Sequence, residues 1–135
     1  MVLKSFFAKS ILGALTLMVM SGTVFASASG YWTVTTQTVG GGGAWSSDGT
    51  ANLKQTADDY ASFNGDSLPA WFGYTSRLVN SNGTGVSNRV SVAVDRTTHA
   101  DSTAYYNHYY LNDVRSNPWE PSTTTSRMHF SADWK

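Results

Sequence analysis

Hydrophobic and polar residues alternate through RMHFSADWK at 127–135, where Met128, Phe130, Ala132 and Trp134 fall on one face and Arg127, His129, Ser131 and Asp133 on the other. Period two marks a half-buried strand. VSVAVD behaves likewise, with Val90, Val92 and Val94 opposite Ser91, Ala93 and Asp95. Between WFGYTSRLVN and that strand lies SNGTG, where Asn82-Gly83 supplies the positive φ values of a tight hairpin. YWTVTTQTV, rich in β-branched Thr and Val, predicts a further strand. TAYYNHYYL alternates at both phases: Tyr106, His108 and Tyr110 face one way, and Tyr105, Asn107, Tyr109 and Leu111 the other. In the segment 52–63, Leu53, Ala57 and Tyr60 approach one helical face, but Thr56, Asp58, Asp59 and Ser62 disfavour a helix, so strand or loop is predicted. Asn117-Pro118-Trp119-Glu120-Pro121 is a turn, because each proline biases the residue before it away from helix. Short strands punctuated by Gly, Asn and Pro, with no internal repeat, predict an all-β fold: a single small antiparallel β-sandwich, or a small barrel.

The first residues follow a different pattern. Lys4 and Lys9 precede an apolar stretch from Ile11 to about Met20, and Ala26-Ser27-Ala28 supplies small residues for cleavage. Residues 1–28 therefore read as a secretory signal peptide cut after Ala26 or Ala28, because the apolar stretch falls short of the ~20 residues that span a bilayer as a helix. The expected location is extracellular, and residues 29–135 form the predicted sandwich domain.

Removing residues 1–28 from the 135-residue chain leaves 107 residues with seven Lys or Arg against nine Asp or Glu, a formal charge of −2. The basic residues are scattered along the sequence, which argues against nucleic acid as a partner and against a strongly cationic lytic peptide. The chain has no cysteine. An exported domain without disulfides depends on packing and hydrogen bonds, and the material for its core is aromatic.

Candidate chemistry is sparse. Gly40 to Gly43 form an uninterrupted glycine run, but Ala44-Trp45-Ser46-Ser47 follow it without the Lys and helix start of a phosphate loop. The run reads instead as a bend or bulge after the first strand, where positive φ or close backbone approach is needed. Glu120 is the single glutamate, and adjacent Asp58 and Asp59 on a strand point to opposite faces, which is unfavourable for a catalytic pair. Asp48, Asp58, Asp59 and Asp66 show no calcium-loop spacing, and His99, His108 and His129 show no zinc spacing. No catalytic residue, metal or cofactor is expected. Recognition by aromatic side chains is what remains, and the candidate binding residues are Trp45, Tyr105, Tyr106, Tyr109 and Tyr110, with Trp32 beside them.

Together with the leader, GGGGAW and AVDRTTHADSTAYYNHYY resemble small β-sandwich bacteriocins of the lactococcin type, which carry a Gly-Gly-aromatic segment and a Tyr-Tyr-Asn strand. Some 25 residues follow TAYYNHYY, whereas that family's tyrosine-rich strand lies near its end. The order of WFGYTSRLVNSNG, TAYYNHYY and TSRMHFSADWK is also similar to an uncharacterised family of small secreted proteins from Gram-positive bacteria. The bacteriocin resemblance implies killing at the envelope of sensitive cells. The expected function is a secreted, non-catalytic bacterial protein that binds a cell-envelope component: a lipid-linked precursor, a polysaccharide or a surface protein. The rivals are a small hydrolase of wall polysaccharide acting through aspartates, and a structural component that self-associates through strand edges as a homo-oligomer.

Overall fold

The computed structural model of the chain describes residues 30–135, so the signal-peptide reading of residues 1–28 lies outside the described residues. Among the described residues the strands are β1 (Thr33–Val39), β2 (Trp45–Ser46), β3 (Asn52–Leu53), β4 (Tyr60–Ser67), β5 (Tyr74–Val79), β6 (Val90–Val92), β7 (Thr97–Asp101), β8 (Tyr109–Ser116) and β9 (Thr124–Ser131). They build two antiparallel sheets packed face to face, without closure into a barrel. One sheet has the order β1-β9-β4-β7, the other β2-β8-β5-β6, with β3 pairing β8 on the same edge as β2.

Between the sheets lie Ala61, Phe63, Met128 and Phe130 from one side and Tyr74, Leu78, Tyr110 and Val114 from the other. Met128 and Phe130 keep the predicted alternation, but the pattern stops at Ser131: Ala132 and Asp133 are both fully buried, and Trp134 turns outward. The valine strand is also shorter than its pattern, ending at Val92 with Val94 half exposed. Strand β1 is buried on its polar face. Thr33, Thr35 and Gln37 point inward while Val34 is exposed. Gln37 Nε2 donates to the carbonyls of Ser46 (2.8 Å) and Asn112 (3.0 Å), and Asn112 Nδ2 donates to Gln37 Oε1 at 2.8 Å. A polar residue is tolerated there because it is hydrogen-bonded across the sheets.

The hairpin after β5 forms where expected, with a different turn. Gly83 has φ +79° and donates its N–H to Asn80 O at 2.9 Å, whereas Asn82 stays at negative φ. One left-handed glycine closing a longer loop replaces the predicted two-residue turn.

At the end of the sandwich that holds β3, the chain is closed by a buried ionic knot. Lys54 is 1% exposed, and its ammonium donates to Ala132 O (2.7 Å), Asp58 Oδ1 (3.0 Å) and Asp133 Oδ1 (3.4 Å). Asp133 also accepts the N–H groups of Gln55 and Thr56, each at 2.9 Å. Burial raises the pKa of Asp58, but hydrogen bonds from the Thr56 hydroxyl, Trp134 N–H, Lys54 and Tyr60 N–H outweigh it and hold the carboxyl below the ordinary aspartate range. A depressed carboxyl contributes stability above its unfolded pKa and loses it as pH falls through the folded value. The urea midpoint should therefore fall on acidification below the ordinary carboxylate range, and Asp58→Asn should flatten that part of the profile.

Candidate functional site

The opposite end of the sandwich gathers three connections: the glycine run after β1, the 68–73 loop between β4 and β5, and the 117–123 loop between β8 and β9. Glu120 joins them. Its side chain is 4% exposed, and its two carboxylate oxygens accept the N–H groups of Trp71 (3.3 Å) and Phe72 (3.1 Å). Its backbone carbonyl accepts the N–H of Gly42 at 2.9 Å. Asn117 Oδ1 in turn accepts the N–H of Trp119 at 2.9 Å, setting the turn between the two prolines.

The glycines are required by this packing. A Cβ on Gly41 would come within 2.9 Å of Glu120 O and 3.0 Å of Ser122 N, and Gly42 and Gly43 adopt φ of +76° and +85°. The run is a tight turn pressed against the 117–123 loop, in keeping with the expected bend after the first strand.

The clamp has a consequence for its neighbours. With the backbone fixed from below, the side chains of Trp71 (81% exposed), Trp119 (80%) and Phe72 (55%) stand out from one end of the molecule. Glu120→Ala removes the acceptor of two N–H groups and should lower stability by about 1–3 kcal/mol, the scale for stranded polar groups. Faster amide exchange at Trp71 and Phe72 in that variant would show the loop released; unchanged exchange would contradict the clamp.

Beside this tip, on the outer face of the β2-β8-β5-β6 sheet, lies a cluster of arginines. Register puts Trp45, Arg115, Thr75 and Ser91 in one cross-strand row, with Arg77 opposite Asp113 in the next outward-facing row. The guanidinium carbons of Arg77, Arg115 and Arg89 lie 4.4, 4.7 and 5.6 Å from the Trp45 ring centre, within cation–π range. Arg77 is paired with Asp113 at 2.8 Å. Burial raises the Asp113 pKa, a rise only partly offset by the hydrogen bond and charge of Arg77. Arg89 and Arg115 take part in no ion pair among the described residues. A cleft of about 280 Å³ connects this face to the tip; Phe72, Thr75, Ser91, Arg115, Asn117 and Pro118 border it.

The sequence-predicted binding residues do not form one surface. Trp45 is half-buried beneath the arginines. Tyr105, Tyr106 and Tyr109 are 74%, 60% and 59% exposed at the far end, on or beside the loop that enters β8. Tyr110 is 4% exposed in the core, its hydroxyl accepting the Tyr105 N–H at 2.7 Å. The predicted strand through TAYYNHYYL begins only at Tyr109, because Asn107 adopts φ +67° and turns the chain. Trp32 packs edge-on against His129, and His99 stacks on Trp134 at 3.5 Å.

The carboxylates are dispersed as well. Asp48 accepts the Ser46 hydroxyl, Asp58 belongs to the Lys54 knot, and Asp66 pairs with His129 at 2.9 Å. Asp59 and Asp101 share a cleft of about 330 Å³ with Ser87, Ser102 and Thr103. Among the described residues no group of three or more His, Asp or Glu could hold a metal ion. The residues that sequence reasoning missed are Trp71, Phe72, Glu120, Arg77, Arg89 and Arg115. Comparison with protein-family models, curated proteins and solved structures finds no match for this chain.

Proposed function

We propose that this chain is a secreted, non-catalytic β-sandwich protein that docks on the lipid surface of a cell envelope, acting there as a bacteriocin-like antagonist. The observation that carries the reading is the rigid presentation of Trp71, Phe72 and Trp119 at one end of the fold, with Glu120 pinning the backbone beneath two of them. Indole rings favour the boundary between water and hydrocarbon, and loops already held in place lose little further freedom on docking. Half-burying two Trp side chains of ~200 Å² each is worth about 5 kcal/mol at ~25 cal/mol per Å².

Charge favours this end over the tyrosine end. Arg115 borders the cleft beside Phe72, whereas Asp59 and Asp101 border a cleft with Thr103, two residues before Tyr105. Envelope lipid surfaces rich in anionic headgroups attract the first and repel the second.

Sedimentation of the purified protein with lipid vesicles tests the docking, and a lawn of related bacteria tests the killing. Co-sedimentation and a clearing zone are expected. Protein that stays in the supernatant with every vesicle composition would sink the docking, and an unbroken lawn across a broad panel would sink the antagonism.

Wall-polysaccharide hydrolysis is the second reading, attached to the cleft where Asp59 and Asp101 come together. It predicts release of reducing ends that Asp59→Asn and Asp101→Asn abolish. The docking reading predicts none.

A further inference from the structure

We infer that the Trp45–Arg77–Arg89–Arg115 face is an oxyanion site that takes the phosphodiester of an anionic phospholipid headgroup while the aromatic tip enters the bilayer interface. The inference rests on the docking reading and gives it a ligand class. Each guanidinium carbon lies within 5.6 Å of one indole centre, so the three positive charges fall within about 10 Å of one another on a single sheet face. Asp113 neutralises only Arg77 at close range, leaving Arg89 and Arg115 without a carboxylate partner among the described residues. Guanidinium groups offer forked N–H donors that match two oxygens of a phosphate, and the cation–π contacts with Trp45 leave the donors of Arg89 and Arg115 available, whereas Arg77 already gives its Nε–H to Asp113.

Placement fits a headgroup. Arg115 precedes Trp119 by four residues, at most ~14 Å of extended chain at ~3.4 Å per residue, and it lines the cleft that Phe72 and Pro118 also border. Interfacial segments sink ~5–10 Å into the headgroup layer. A tip inserted to that depth carries Arg115, on the cleft bordered by Phe72 and Pro118, toward the phosphates. The polar groups of Thr75, Ser91 and Asn117 in the cleft supply hydrogen-bonding partners for the rest of a headgroup.

The test compares the wild type with an Arg89→Gln/Arg115→Gln variant. Arg89 is exposed, Arg115 is partly exposed and neither joins an ion pair among the described residues, so the fold should survive, with the unfolding midpoint lowered only by the loss of two cation–π contacts to Trp45. Binding is measured to vesicles of digalactosyldiacylglycerol alone, a neutral lipid whose headgroup carries no phosphate, and of the same lipid mixed with phosphatidylglycerol, with soluble glycerol phosphate titrated separately. The wild type should bind the mixed vesicles on the order of tenfold or more tighter than the neutral ones, the scale for two arginines near an anionic surface. The variant should lose that preference while keeping its affinity for neutral vesicles. A variant that retains the preference overturns the site but leaves tip docking intact. Failure of the wild type to bind any vesicle removes the docking reading and the lipid assignment with it. Equal competition by glycerol phosphate at matched phosphate concentration would assign the site to a free phosphate ester and overturn the lipid source.

Discussion

Lys54→Ala should cost the domain about 3–5 kcal/mol, the scale measured when one partner of a buried ion pair is removed. Loss on that scale is a large part of the ~5–15 kcal/mol that holds a typical domain folded, so the variant should populate unfolded chains at modest temperature. The reason is geometric. Asp133 has no exposed surface, and Lys54 is its only cationic neighbour among the ion pairs of the described residues. Without the ammonium, the carboxylate keeps the N–H donors of Gln55 and Thr56 but loses its counter-charge, and Ala132 O loses its donor. Lys54→Met separates charge from volume: it fills similar space yet should lose nearly as much stability. A urea midpoint for Lys54→Met close to that of the wild type would show that packing, not charge, closes this end.

Trp71→Ser/Trp119→Ser should reduce vesicle binding roughly 100-fold or more, given the area that two indoles can remove from water. The same variant should unfold within about 0.5 kcal/mol of the wild type, because both side chains are about four-fifths exposed and little in the fold depends on them. That pairing of a large binding loss with unchanged stability is what separates a docking tip from a packing role. A fall in stability instead would mean that the rings support the loops beneath them.

The strands were legible where side-chain size and period two agree, as at Met128 and Phe130, and the sandwich follows from several such strands. Strand β1 shows the limit of that reading. Its buried face is Thr33, Thr35 and Gln37, and only the partner carbonyls of Ser46 and Asn112, nine and 75 residues away from Gln37, make that burial acceptable. The tip was half legible. Asn117–Pro121 reads as a turn from its prolines, but the WFG stretch looks like the start of a strand until Gly73, at φ +83°, shows the turn that ends just before β5. Pro69 upstream and Gly73 downstream were the available signal. Glu120 carries no local signature, since its two N–H partners lie 48 and 49 residues away. Arg77, Arg89 and Arg115 look scattered in sequence and converge only through the register of β5 and β8 and the loop before β6. The tyrosine segment misled for a local reason: Asn107 accepts a left-handed conformation, so the alternation of TAYYNHYYL spans a loop and a strand.

Quenching of tryptophan fluorescence by phospholipids brominated along their acyl chains tests the aromatic-tip docking most directly. Bromine quenches indoles only at short range, so bromine on the acyl-chain carbons nearest the headgroup reports indoles seated in the interface, and Trp71 and Trp119 are the tryptophans placed to reach it. The wild type should show strong quenching with vesicles brominated near the headgroup, and Trp71→Ser/Trp119→Ser should show almost none while retaining its folded spectrum. Equal quenching in the two proteins, or none in the wild type, would contradict the assignment of that end as the membrane contact.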